Sequence, residues 1–187
     1  RGLPAVVVAR DGRLSGPGFL AALARGIRAT GTDVIDIGLA PTPLLYYATH
    51  ALGTGTGVMV TGSHNPPEYN GFKIMIGGET LAGEGIQRLR RRIETGDLVT
   101  GAQPGAYRTQ AIGEDYIRRV AGDVRLARPL KLVVDCGNGV AGAIAPDLLR
   151  ALGCRPIELF CEIDGNFPHH HPDPSQPEHL EDLIRAV

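Results

Sequence analysis

The sequence has no surplus of basic residues: 19 Lys and Arg stand against 20 Asp and Glu, a formal charge of −1 at pH 7. Nucleic-acid backbones are gripped by clustered Lys and Arg, so no nucleic-acid partner is expected. No apolar run approaches the roughly 18 residues that span a bilayer, and no charged-then-apolar leader precedes a small-residue cleavage site. A soluble, cytoplasmic chain without a membrane partner is therefore expected. Cysteine is sparse and odd in number: Cys136, Cys154 and Cys161 form neither a CxxC pair nor a zinc-like spacing. That argues against a disulfide framework and for free thiols in a reducing compartment. Gly-Lys-Ser/Thr, H-E-x-x-H and an EF-hand loop are all missing, which removes P-loop, zincin and calcium-sensor chemistry.

Glycine, by contrast, is plentiful. The 26 glycines and 14 prolines among 187 residues stay below the low-complexity range, but glycine is at about twice its usual share. Many tight turns or close backbone approaches follow. At about 150 residues per domain the length allows one large domain or two small ones. The chain opens at Arg1 rather than Met and stops at Val187 inside an amphipathic run (Leu180, Leu183, Ile184, Val187), so a piece of a longer protein is expected.

Short β-branched runs alternate with helical periodicities, the pattern of an α/β fold. Strands are expected at Ala5–Ala9, Asp33–Ile37, Gly57–Val60, Phe72–Ile76, Leu130–Val134 and Pro156–Phe160. Helices are expected from Ser15 or Gly16 to Gly31, over Pro41–Ala51, and at Glu84–Ile93, Glu114–Val120 and Ile144–Leu152. The Arg88, Arg90, Arg91 and Arg92 face of the third helix reads as simply solvated. Residues 95–109 lose periodicity and gather Gly and Pro, as linkers do. The expectation is two α/β layered units with mixed sheets, 1–108 and 109–187, the second truncated.

The densest polar cluster is Thr61-Gly62-Ser63-His64-Asn65-Pro66-Pro67-Glu68-Tyr69-Asn70, followed by Gly71-Phe72-Lys73. It lies where one strand ends and another begins, the carboxyl edge at which open α/β sheets bind ligands. Pro66 and Pro67 forbid helix across its middle. A Ser63 hydroxyl, an imidazole, an amide and a cation fit a phosphoryl carrier. Equally, Ser63 and Asn65 could merely tie a turn while Lys73 faces solvent. The residues alone leave both readings open. A G-x-S-x-G elbow is excluded, because Thr61 and Asn65 stand where it needs glycine.

This loop resembles the phosphoserine loop of the α-D-phosphohexomutases, above all their bacterial phosphomannomutase/phosphoglucomutase branch. Four stretches support the likeness: Ala9 to Ser15 (ARDGRLS), Pro41-Thr42-Pro43, Val133 to Gly142 (VVDCGNGVAG) and Asp164 to Pro174 (DGNFPHHHPDP). The resemblance implies a hexose 1-phosphate/hexose 6-phosphate mutase, an intramolecular phosphotransferase working through a hexose 1,6-bisphosphate. It makes Ser63 the phosphorylated residue and, through its phosphate, a ligand of Mg²⁺. It places Lys73 beside that phosphate and makes His64 its positioner or proton relay. Thr61, Gly62, Asn65 and Asn70 support the loop. Arg10 and Arg13, at the end of the first strand, brace the cleft, unless they simply pair with Asp11 at the helix start. The family's metal carboxylates, sugar-reading loops and amino-terminal arginine motif match nothing in this chain, so the chain alone is expected to be inactive. A monomer is expected, with a phosphosugar and the missing domains of its own polypeptide as partners.

Two other readings stand beside this one. Gly137-Asn138-Gly139-Val140-Ala141-Gly142 fits G-x-G-x-x-G with Glu158 about twenty residues on, a weak NAD(P)-binding signal. His169-His170-His171 with Asp164 and Asp173 is a weak metal-binding pattern, more simply an extended connector between Pro168 and Pro172.

Overall fold

In the computed structural model, residues 5–187 are described. The run Ala5-Val6-Val7-Val8-Ala9 has no polar side to offer water, so it forms an inner strand, β1 (Ala5–Arg10), buried on both faces. Helix α1 (Gly16–Ala29) leads to β2 (Asp33–Leu39), and α2 (Thr42–Ala51) leads to β3 (Gly57–Val60). Strands β4 (Phe72–Ile76) and β5 (Glu79–Thr80) precede α3 (Glu84–Glu94) and β6 (Tyr107–Thr109). The six strands form one sheet in the order β5-β4-β3-β1-β2-β6. It is mixed: β1 runs parallel to β2 and β3, whereas β4 returns antiparallel to β3.

The two-residue alternation of β1 divides the core. Val6 and Val8 pack with Leu20 and Ala24 of α1, while Val7 and Ala9 pack with Leu44, Leu45 and Ala48 of α2. Helix α3 adds nothing to either cluster; Ile86, Leu89 and Ile93 are exposed. Its basic residues are partly paired, Arg90 with Glu94 (2.7 Å) and Arg92 with Asp97 (2.9 Å).

Residues 95–109 are not a free linker. The Gly101 and Gly105 amides donate to Ala29 O and Arg28 O, and β6 adds to the sheet beside Val34–Asp36. A Cβ on Gly105 would lie 2.1 Å from Thr32 O, so this glycine answers a close backbone approach. Strands as short as β5 and β6 are too brief to show a period of two. Across the β2–β6 pairing the Tyr107 hydroxyl donates to the Asp36 carboxylate, which pushes the phenol up to about 12.

Beyond β6 come α4 (Gly113–Asp123), β7 (Lys131–Asp135), a 3₁₀ turn at Val140–Ala143, α5 (Ala145–Ala151), β8 (Arg155–Leu159) and α6 (Glu181–Ala186). Among the described residues the second sheet holds only β7 and β8, which are parallel. The expected mixed sheet in this unit is therefore corrected to a single parallel pair, because α5 returns the chain by a crossover rather than a hairpin. The two units meet closely. A Cβ on Gly12 would lie 2.4 Å from Ile163 Cγ2, and one on Gly165 would lie 2.6 Å from Gly12 O.

Candidate active site

Strand β3 is apolar throughout and delivers the chain to the edge of the sheet, where the sequence turns polar at Thr61. The loop closes on itself: the Thr61 amide donates to Gly71 O, which returns the chain into β4. The Ser63 amide donates to Thr61 Oγ1 (3.0 Å) and the Asn65 side chain to Gly62 O (2.9 Å). Asn70 donates to Ser15 Oγ (2.9 Å), fastening the end of the loop to the start of α1. At its tip Ser63 has φ +55°, left-handed backbone that an L-residue adopts at some expense and that marks a constrained site.

Two residues outside the loop hold it from beneath. Asp11 accepts from Thr61 Oγ1 (2.8 Å), the Gly62 amide (3.2 Å) and Arg13 Nε (3.2 Å). The Arg13 side chain, only 1% exposed, donates to the carbonyls of Ser63, Asn65, Pro66 and Tyr69. Gly62 lies against it: a Cβ there would sit 2.4 Å from Arg13 Nε.

Above the loop is a cavity of about 670 Å³ lined by Asp11, Thr61, Ser63, His64 and Lys73 from the first unit and by Asp135, His170 and Asp173 from the second. Lys73 reaches it from β4, where it pairs with Met59 of β3. Gly62, Asn65 and Asn70 do not line it and act only within the loop. Arg10 lies elsewhere. Where β1 loses regular register with β2, between Val8 and Arg10, its side chain faces a separate groove of about 360 Å³ beside Tyr107 and α1. Neither arginine lines the cleft: Arg10 faces the outer groove, whereas Arg13 pairs with Asp11 (3.2 Å), as the alternative had it, and also holds the loop, so Asp11 enters the site as well. The Ala9 to Ser15 stretch contained both, but spacing cannot tell which arginine turns inward.

The second unit touches the serine loop through its histidine run. His64 Nδ1 donates to Pro172 O (2.6 Å), and His171 Nε2 donates back to His64 O (2.8 Å). His169 stacks on Phe160 and bonds Asn138 Oδ1 (2.7 Å), and His170 Nε2 lies 3.1 Å from both Asp135 oxygens. Hydrogen bonds from Ser175, with smaller help from His64 and His171, hold the Asp173 carboxyl below its usual range.

Family models match almost the whole chain. "Phosphoglucomutase/phosphomannomutase, alpha/beta/alpha domain I" covers residues 1–100, and the corresponding domain II covers 114–187. The chain belongs to the phosphoglucomutase/phosphomannomutase family. It is 56% identical to the phosphomannomutase/phosphoglucomutase of Pseudomonas aeruginosa over 187 residues, all of this chain and 40% of that protein. It is 46% identical to a phosphoglucomutase of Neisseria meningitidis, again over all of this chain and 41% of the relative. A crystal structure of a phosphoglucomutase/phosphomannomutase family protein from Burkholderia thailandensis superposes with a TM-score of 0.91 at 52% identity, covering 97% of this chain and 41% of that one. The chain thus spans about two fifths of the length of these family members.

Family membership sets the other readings in order. The Gly137–Gly142 run serves packing: a Cβ on Gly142 would lie 1.9 Å from Cys161 O, and Glu158 pairs with Arg150 instead of closing a ribose site. Nothing in the comparisons favours a dinucleotide. The histidine rings are spent on hydrogen bonds and stacking, and no group of three His, Cys, Asp or Glu among the described residues suits a metal ion. The same holds for Mg²⁺. Asp11 and Asp135 reach the cavity, but Asp11 is engaged by Arg13 and Thr61 and Asp135 faces His170, so these residues alone do not fit an octahedral oxygen site.

Cys136 also lines the cavity. Burial, then its hydrogen bond with Cys161 (3.4 Å between sulfurs), pushes its thiol up to about 12. Thiolate is the reactive form, so alkylation of Cys136 by iodoacetamide at pH 8 is expected to run at least about a hundredfold slower than that of an ordinary exposed cysteine. Peptide mass mapping over a time course reads this; equal rates would refute it.

Proposed function

We propose that this chain is the part of a phosphohexomutase that carries its phosphoryl shuttle, and that the whole protein interconverts hexose 1-phosphate and hexose 6-phosphate. The observation that carries the reading is the position of Ser63. It is exposed at the tip of a clamped loop on left-handed backbone, facing a cleft that Lys73 also lines. Family membership and relatives named for mannose and glucose phosphates support the substrate class.

In this reading phosphorylated Ser63 meets the free hydroxyl of a bound hexose phosphate. The Oγ–P bond breaks as the sugar O–P bond forms, and the hydroxyl proton ends on Ser63 Oγ. The resulting hexose 1,6-bisphosphate turns round and returns its other phosphoryl group by the reverse exchange. Lys73 supplies a fixed cation where negative charge spreads over the phosphoryl oxygens. His64, its Nδ1 committed to Pro172 O, has only Nε2 to offer the phosphate. Mannose and glucose phosphates are the proposed substrates, and the cytoplasm, where free thiols persist, the proposed compartment.

The test is turnover by the whole protein. Glucose 1-phosphate or mannose 1-phosphate should be converted to the 6-phosphate, with the rate rising on addition of catalytic glucose 1,6-bisphosphate. Failure to turn over either sugar with the bisphosphate present would contradict the proposal.

A further inference from the structure

Arg13 does not itself line the cleft, yet it uses every donor it has on groups around it. A guanidinium carries five N–H groups, and all five are spent. Nε donates to Asp11 (3.2 Å), Nη1 to Pro66 O (2.5 Å) and Tyr69 O (3.1 Å), and Nη2 to Ser63 O (2.9 Å) and Asn65 O (2.7 Å). From the second unit the Phe167 ring lies 5.3 Å from its Cζ. Burying a charge with one partner missing is severe, so the arrangement is stable only with the carbonyls between residues 63 and 69 turned inward together.

That inward turn has a consequence for the serine. With Ser63 O drawn down to Arg13 and the Ser63 amide tied to Thr61 Oγ1, itself bound to Asp11, both ends of the residue are fixed. Its backbone is held at φ +55° and its side chain is left facing the cleft. Pro66 and Pro67 stiffen only the far half of the loop, and without these ties the stretch from Thr61 to His64, which belongs to no helix or strand, would sample other conformations.

We propose that Arg13, anchored by Asp11, is the positioning residue of the phosphoryl shuttle, setting where Ser63 Oγ stands and so the rate of transfer, without taking part in substrate binding. This rests on the mutase reading above. Lysine cannot replace it, because one ammonium with three donors cannot satisfy four carbonyls and a carboxylate at once.

The experiment is a single-turnover assay on the whole protein, phosphorylated at Ser63 beforehand and mixed with glucose 1-phosphate. The single-turnover rate constant does not depend on the fraction of active molecules, so mere destabilisation leaves it unmoved. Arg13→Lys is expected to lower that constant by about tenfold to a hundredfold, the scale of a misplacement near 1 Å, with KM within about twofold of the parent. Asp11→Asn keeps the arginine but removes the carboxylate that anchors it, and carries the same expectation should Arg13→Lys fail to fold. A folded Arg13→Lys, or in its absence Asp11→Asn, with the parental rate constant would overturn the proposal while leaving the mutase reading intact. A parent protein that never holds phosphate on Ser63 would overturn both.

Discussion

Ser63→Ala is expected to lower mutase turnover by about 10⁴-fold or more while leaving the fold unchanged. The transfer needs an oxygen that forms and breaks a bond to phosphorus, and alanine has none. No neighbouring hydroxyl stands ready to take over. Thr61 Oγ1 is occupied by Asp11 and the Ser63 amide, and Ser15 Oγ is held by Asn70. Because Ser63 is exposed and both residue types bear similar left-handed strain at φ +55°, the melting temperature should stay within a degree or two. Steady-state kinetics with added bisphosphate, alongside a thermal melt, decide it. Turnover within about tenfold of the parent would require a different phosphoryl carrier.

Gly62→Ala is expected to damage the site without touching the chemistry. Its Cβ would stand 2.4 Å from Arg13 Nε, 2.5 Å from Cζ and 2.7 Å from Tyr69 O. The guanidinium cannot yield, because shifting it breaks carbonyl bonds that nothing else can satisfy in a buried place. We expect a destabilisation of about 1–3 kcal/mol and a fall in turnover on the order of 10². Gly26→Ala is the control. It lies in α1 with nothing within 4 Å of the new Cβ, so the same added methyl should raise stability by about 0.5–1 kcal/mol. Urea titration of both variants separates a clash at Gly62 from any general effect of losing a glycine.

Much of the fold was legible because its core strands are buried on both sides. Ala5–Ala9 and Gly57–Val60 have no polar face to blur their limits, and α1 announces its face through Leu20 and Ala24. The two-residue β5 and three-residue β6 were not legible, because pairing with a neighbour, rather than their own pattern, makes them strands. At the site the polar loop between β3 and β4 marked Ser63 and Lys73, which the structure brings to one cavity. What holds the loop was harder to read. Arg10 and Arg13 are three residues apart, and only the loss of register at the end of β1 and the turn through Gly12 send one to an outer groove and the other under Ser63. The tie from His64 to Pro172 spans 108 positions, and no local pattern encodes such a contact.

Ser63 Oγ is the atom proposed to hold and pass the phosphoryl group. The most direct measurement is to incubate the whole protein with glucose 1,6-bisphosphate, digest it, and locate the bound phosphate by tandem mass spectrometry. One phosphate on Ser63, discharged when excess glucose 1-phosphate is added, is the predicted result. Phosphate on another residue, or an unmodified Ser63 in a protein that is turning over substrate, would contradict it.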